Sequence, residues 1–238
     1  MTLGSTTPDV DHLVVMAATL QEGALWCRQA LGVDPATGGE HPLMGTHNRL
    51  LNLSSATHPR AHLEIIALNP KARPALAAGA RRWFDMDDAA LRAQVARDGP
   101  QLIHWVASVP DIAAAHAALA ERGVDRGDVV TAGRPTPFGL LEWRITLRPD
   151  GQRLMDGCLP TLIQWGERHP CHSLPESGVA LQSLALEHPQ PEALGAACAA
   201  IGLRCGPVAR AGAPRIRATL STPRGTVPLQ SQPLETLP

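Results

Sequence analysis

The sequence predicts an α+β fold made by repeating one βαβββ unit. Three observations carry that prediction. First, Val10–Val33 (VDHLVVMAATLQEGALWCRQALGV), Gln101–Val124 (QLIHWVASVPDIAAAHAALAERGV) and Ala180–Leu203 (ALQSLALEHPQPEALGAACAAIGL) share one plan. Each is an apolar or β-branched run, a polar break, an Ala/Leu-rich segment and a glycine. Second, the first two copies are followed by further strand-like runs separated by Pro and Gly turns. Third, the chain has 238 residues and is 44% hydrophobic, enough for a sizeable buried core.

The first module spans residues 8–68. Its opening strand alternates Leu13, Val15 and Ala17 against His12, Val14 and Met16. A helix follows: Thr19 and Glu22 have capping-box spacing, and Gly32 supplies the stop. Gly38–Asn48 (GGEHPLMGTHN) reads as a turn into a strand at Asn48–Leu53, with another at His62–Leu68. It has no dinucleotide-binding or P-loop glycine spacing. Residues 69–100 form an inserted helical excursion, with a short helix over Asp87–Ala96 capped by Asp87.

The second module, 101–168, starts with a strand around His104. Its helix opens at Asp111, carries an Ile112/Ala115/Leu119 stripe and closes at Gly123. Strands are expected at Val129–Thr131, Leu141–Leu147 and Leu159–Trp165. An incomplete βαββ-like third module covers 178–231, its helix opened by Pro191 and Glu192 and ended by Gly202, with a strand at Arg215–Leu220.

Composition excludes several roles. With 22 acidic and 21 basic residues there is no basic surplus for phosphate backbones or anionic membranes. Two Phe, five Trp and no Tyr leave few rings for stacking bases. No apolar run approaches the roughly 18–20 residues of a membrane span, and Met1–Asp11 has no signal-peptide pattern. The scattered cysteines Cys27, Cys158, Cys171, Cys198 and Cys205 read as reduced thiols of a cytoplasmic protein. No nucleophile elbow or H-E-x-x-H helix is present.

Strand parity isolates one large polar group among apolar neighbours on one face of each key strand: His12, Glu64, His104 and Gln164. An unpaired carboxylate or imidazole is costly in a dry core, so this pattern suits a lined cavity. Two imidazoles, a carboxylate and an amide are credible ligands for Fe, Mn, Ni, Co or Zn. Taken singly, each strand His also reads as a hydrogen-bonded structural residue. Ser183 replaces the His in the third copy, which is expected to bind no metal.

The repeated βαβββ plan, with the runs DHLVV, GGEHPLMGTHNRLLNL, HLEIIALNP, HWV and LPTLIQW, resembles the vicinal oxygen chelate superfamily. That group includes glyoxalase I, extradiol dioxygenases and fosfomycin- and bleomycin-resistance proteins. More narrowly, it resembles the glyoxalase-like domain subgroup of bacterial proteins. The resemblance implies that the paired modules form a cup-shaped sheet holding a divalent metal on His12, Glu64, His104 and Gln164. It also implies an isomerase, lyase or dioxygenase acting on a small molecule with adjacent oxygens. The alternative is a binder of the same fold that sequesters small molecules without catalysis.

Glu64 is the candidate base, or His62, which shares its strand face; His62 also reads as a supporting or rim residue. Thr46 and Asn48 read either as substrate contacts or as turn-capping polar groups. Arg134 could clamp a substrate carboxylate or be an ordinary surface residue, with Trp143 beside it. His169, Cys171 and His172 read as a connecting loop, and His41, His47 and His58 as loop residues. Beyond the substrate, a second copy of the chain is the partner expected.

Overall fold

The computed structural model describes residues 7–74, 76–204 and 208–234. The first module is β1 (Asp9–Met16), α1 (Leu20–Leu31), β2 (Ala36–His41), β3 (Thr46–Asn52) and β4 (His62–Leu68). After a 3-10 turn at Trp83–Asp85 comes α2 (Ala89–Asp98). The second module is β5 (Gln101–Ser108), α3 (Ile112–Ala120), β6 (Asp128–Thr136), β7 (Gly139–Leu147) and β8 (Thr161–Trp165). A third group follows with β9 (Ala180–His188), α4 (Pro191–Ala200), β10 (Ala209–Arg210), β11 (Arg215–Thr222) and β12 (Gly225–Gln230).

The two complete modules share one curled eight-stranded sheet in the order β2-β3-β4-β1-β5-β8-β7-β6. Their first strands, β1 and β5, lie antiparallel at its centre, and each is flanked by its own module's last strand in parallel. A parallel pair needs a long crossover, which α1 and α3 begin. The remaining four strands make a smaller sheet, β10-β9-β11-β12.

Two apolar clusters mark the two sides of the large sheet. Leu13, Val15, Leu63, Ile65, Trp105 and Leu162 are buried with α1 and α3 residues on the outer face. Val14, Ile66, Val106, Ile145 and Ile163 line the concave face. Helix α1 starts where Thr19 accepts from the Glu22 N–H and stops at Gly32, whose φ of 81° suits glycine. At Gly23 the helix approaches β4 so closely that a Cβ would overlap Ile65 Cγ2. No helix among the described residues is long and apolar enough to cross a membrane.

Four sequence expectations are corrected. Gly38–His41 belongs to a strand, β2, which pairs with β3 and puts His41 opposite Thr46. Helix α2 is capped by Asp88, whose carboxylate accepts from the Leu91 N–H, while Asp87 holds Arg82. In β5 the pairing slips between Val14/His104 and Val15/Leu102, a bulge that turns Ile103 to the concave side and Leu102 to the helices. In β8 the concave residue is Ile163 and Gln164 faces α3, because one residue along a strand reverses the face. Cys27, Cys158 and Cys171 are free thiols, and Cys205 lies outside the described residues.

Candidate functional site

The site grows from the register of β1 and β4. Parallel pairing sets His12 beside His62 and Val14 beside Glu64, so both imidazoles and the carboxylate rise from the same side of the sheet. A second bulge, between Val10 and His12 opposite β5, brings the Asp11 side chain to the same place. Asp11 is fully buried: Oδ1 lies 2.7 Å from His12 Nδ1, and Oδ2 accepts from Trp165 Nε1 at 2.8 Å and from His169 Nε2 at 3.2 Å. Burial favours the neutral acid, but the charge of His169 and the bonds from His12 and His169 prevail and hold Asp11 well below the usual carboxylate range. Burial likewise opposes a charged His12, yet the Asp11 bond and the Asp11 and Glu64 charges raise its affinity for a proton. With Nδ1 held by Asp11, the other ring nitrogen of His12 faces Glu64 Oε2 at 3.7 Å.

Glu64 is held from its other side. Asn48 Nδ2 donates to Glu64 Oε1 at 2.6 Å, and Asn48 Oδ1 accepts from the Gly39 N–H at 2.8 Å, which sets the amide's orientation. Glycine at 38 permits this approach, since a Cβ there would overlap Asn48 Oδ1 and come within 2.5 Å of its carbonyl. His41 Nε2 lies 3.9 Å from Glu64 and 3.3 Å from Asn48 Nδ2, while His41 Nδ1 bonds Thr46 Oγ1 at 3.0 Å. Burial pushes His41 down to about 4.

His12, His41, Asn48, His62 and Glu64 form the floor of a narrow cleft, with about 40 Å³ open to the centre of a water-sized species. Its far wall is Leu141, Trp143, Ile145, Ile163 and Trp165, and Trp83 and Phe84 close one end. Arg134 reaches over Gly39 and lines the cleft, with no hydrogen bond or ion pair among the described residues.

Of the residues the sequence nominated, the structure brings together His12, His62, Glu64 and Asn48, with Arg134 and Trp143 along the same cleft. Thr46 is fully buried and positions His41 instead of facing the cleft. His104 does not join them. Its ring is fully buried, with Nδ1 3.0 Å from the Gly157 carbonyl and Nε2 3.0 Å from Thr161 Oγ1. Gln164 serves the start of α3, accepting from the Ile112 N–H at 3.1 Å and donating to the Pro110 carbonyl at 2.9 Å. The set His12, Glu64, His104 and Gln164 is therefore not assembled, because Gly157 and Thr161 occupy the His104 ring and the start of α3 occupies Gln164.

A different group can hold a divalent ion: ligand atoms of Asp11, His12 and His62 lie within 4.8 Å of one another. The His62 Nδ1 atom is buried without a hydrogen-bond partner, 4.0 Å from Asp11 Oδ1, and burial keeps the ring neutral, as a metal ligand must be. Sequence reasoning missed Asp11, His41 and His169. A hairpin reading of residues 38–48 would have found His41; nothing in the sequence points to the contact between Asp11 and His169.

The model of a glyoxalase-like domain family matches residues 10–202. No curated protein matches the chain. Among solved structures, a hypothetical protein from Staphylococcus aureus is similar over 87% of this chain and 88% of its own, at 12% identity and a TM-score of 0.58, a likeness of fold. A methylmalonyl-CoA epimerase from Streptomyces coelicolor is similar at 14% identity over 68% of this chain and 97% of its own, with a TM-score of 0.39. The corresponding figures for one from Mycobacterium tuberculosis are 15%, 69%, 91% and 0.37.

Proposed function

Since the chain belongs to the glyoxalase-like domain family, we propose that it is an enzyme that shifts a proton on a small molecule bearing neighbouring oxygen atoms and an anionic end. The observation that carries this reading is the line Asp11–His12···Glu64–Asn48 on the floor of a cleft that also holds an unpaired guanidinium. Glu64 is the base. Asn48 anchors one of its oxygens, leaving the other without a hydrogen bond among the described residues, 3.7 Å from His12 Nε2. His12, steadied by Asp11, offers its second nitrogen to the oxygen on which charge develops. Trp83, Trp143 and Trp165 keep water from that oxygen, which strengthens both interactions.

A divalent ion of the kind this fold family commonly uses would take Asp11, His12 and His62, and when bound would replace His12 in polarising the substrate's oxygens. Metal analysis of protein purified without a His tag tests the ligand set. The expected result is about one ion per chain, lost in His12→Ala and His62→Ala but kept in His104→Ala and Gln164→Ala. Loss in the last two variants, with the fold intact, would restore the set that strand parity suggests.

Arg134 binds the anionic end of the substrate. Its replacement by Met removes a charge-assisted hydrogen bond of about 1.5–3 kcal/mol. Steady-state kinetics should show KM rising about 10–100-fold with kcat nearly unchanged. A fall in kcat alone would place Arg134 in the chemistry.

The reaction class is tested by NMR, following solvent deuterium into the carbon next to the carbonyl across a panel of small 2-oxo and 2-hydroxy acids and their esters. Incorporation that depends on Glu64 supports the proposal. Saturable binding in the cleft with no exchange in any panel member would favour a sequestering protein.

A further inference from the structure

Behind the Trp83–Phe84 end of the cleft lies a second, small cavity, with about 10 Å³ open to the centre of a water-sized species. The two rings line both spaces and form the partition between them. That partition is firmly held: Asp85 accepts from the Arg153 N–H and Nε, and Arg153 Nη1 donates to the Ile103 carbonyl.

On the far side the cavity is lined by Arg126, Thr146, Arg148, Gln152 and Thr161. Arg126 is only 3% exposed. Its Nη2 donates to Thr161 Oγ1 at 2.7 Å, while Nε and Nη1 are buried with no partner. Trp83 Nε1 is a third buried donor without a partner. Thr146 Oγ1 accepts from the Leu162 N–H, which leaves its own proton free to donate. No Asp or Glu lines the space. The acid next in sequence, Asp125, has its side chain 78% exposed and pairs with Arg148, which also pairs with Asp150.

The cavity therefore presents donors around one buried guanidinium that has no ion-pair contact among the described residues and only the more distant charge of Asp125. Leaving such a charge unpaired is strongly unfavourable, whereas an acceptor of opposite sign would satisfy both it and the neighbouring donors. Asp125 and Asp150 are solvent-exposed and contact Arg148, not Arg126, so the charge left without a contact is the single one on Arg126, and a divalent anion would bring one charge too many.

We propose that this cavity binds a small monovalent anion, a carboxylate or a halide, at Arg126, separately from the catalytic cleft. Burial, reinforced by the Arg148 charge, brings the Arg126 guanidinium down to about 9, which agrees with a cation that lacks its partner. The site does not depend on the reaction assigned to Glu64 and His12.

Unfolding of the full chain, titrated with sodium formate, sodium chloride or sodium sulfate at constant ionic strength with gluconate as the balancing salt, is the test. One-site saturable stabilisation by formate or chloride is expected, the unfolding constant falling about 11-fold at ten times Kd, with no saturable response to sulfate. Tighter binding of formate would identify a carboxylate site, and tighter binding of chloride a halide site. Arg126→Met should abolish the saturation. A stabilisation merely linear in salt, or unchanged in Arg126→Met, overturns the proposal. A bromide-soaked wild-type crystal decides the matter even if the variant does not fold. An anomalous peak within hydrogen-bonding reach of Arg126 Nη1 supports the site, and its absence rules the site out.

Discussion

Glu64→Gln is expected to lower kcat for deuterium incorporation by about 10²–10⁴-fold, the usual contribution of a positioned general base. That is roughly 3–5 kcal/mol of transition-state stabilisation. The substitution is chosen because it conserves shape. The Gln carbonyl can still accept from Asn48 Nδ2, which lies 2.6 Å from Oε1 in the parent, so the floor of the cleft keeps its packing. Substrate affinity depends on Arg134 and the Trp walls and should change little, confining the effect to kcat. Asn48→Ala should give a smaller loss, about tenfold, by freeing a carboxylate that is otherwise aimed. Turnover by Glu64→Gln within about threefold of the parent would remove Glu64 as the base. His62, whose unpartnered Nδ1 faces the same corner, would then be the next candidate.

Acid should destabilise the fold well before its carboxylates titrate. Burial lowers His41 to about 4, burial with the His12 charge lowers His62 well below its usual value, and burial with the nearby Arg126 and Arg153 charges does the same to His104. An unfolded chain takes up these three protons near pH 6.5, whereas the folded protein refuses them until far lower pH. The unfolded state thus binds more protons in this window. Stability is complete above about pH 6.5 and drains as pH falls through the folded values. From 6.5 to about 4, His41 accounts for about 3 kcal/mol, and with its side chain 10% exposed this needs little discount for solvent screening. Asp11, also depressed, adds a loss only below about pH 4. His12 is raised and acts oppositely, its contribution being full below about 6.5 and lost as pH climbs past its folded value. Urea midpoints at pH 7, 6 and 5 should fall with a slope near three protons at the acid end, reduced by one in His41→Gln. A flat profile between pH 7 and 5 would mean that these rings are already protonated in the fold.

The repeats, the helix caps at Thr19 and Asp111 and the outward apolar faces of β1 and β4 were legible because they follow from local spacing, 3.6 residues per helical turn and two per strand. His12 and Glu64 were legible for the same reason, lying on regular stretches of adjacent strands. His104 and Gln164 look equivalent in sequence but are not in space. His104 keeps the face of Val14 and Val106, but its ring sits behind Phe84 with both nitrogens taken by Gly157 and Thr161, and the face of β8 toward the cleft depends on which neighbour covers it.

By itself, the sequence determined a duplicated βαβββ chain and a first module carrying an imidazole and a carboxylate on one strand face. Only the tertiary structure decided that the second module contributes an apolar wall instead of ligands. It alone brought Asp11, His169 and Trp165 into one buried contact across more than 150 residues and left Arg126 with no ion-pair contact among the described residues. The physical reason is that periodicity records which way a side chain turns relative to its own backbone. Which charges meet depends on bulges, register and burial, and these are settled when distant segments pack together.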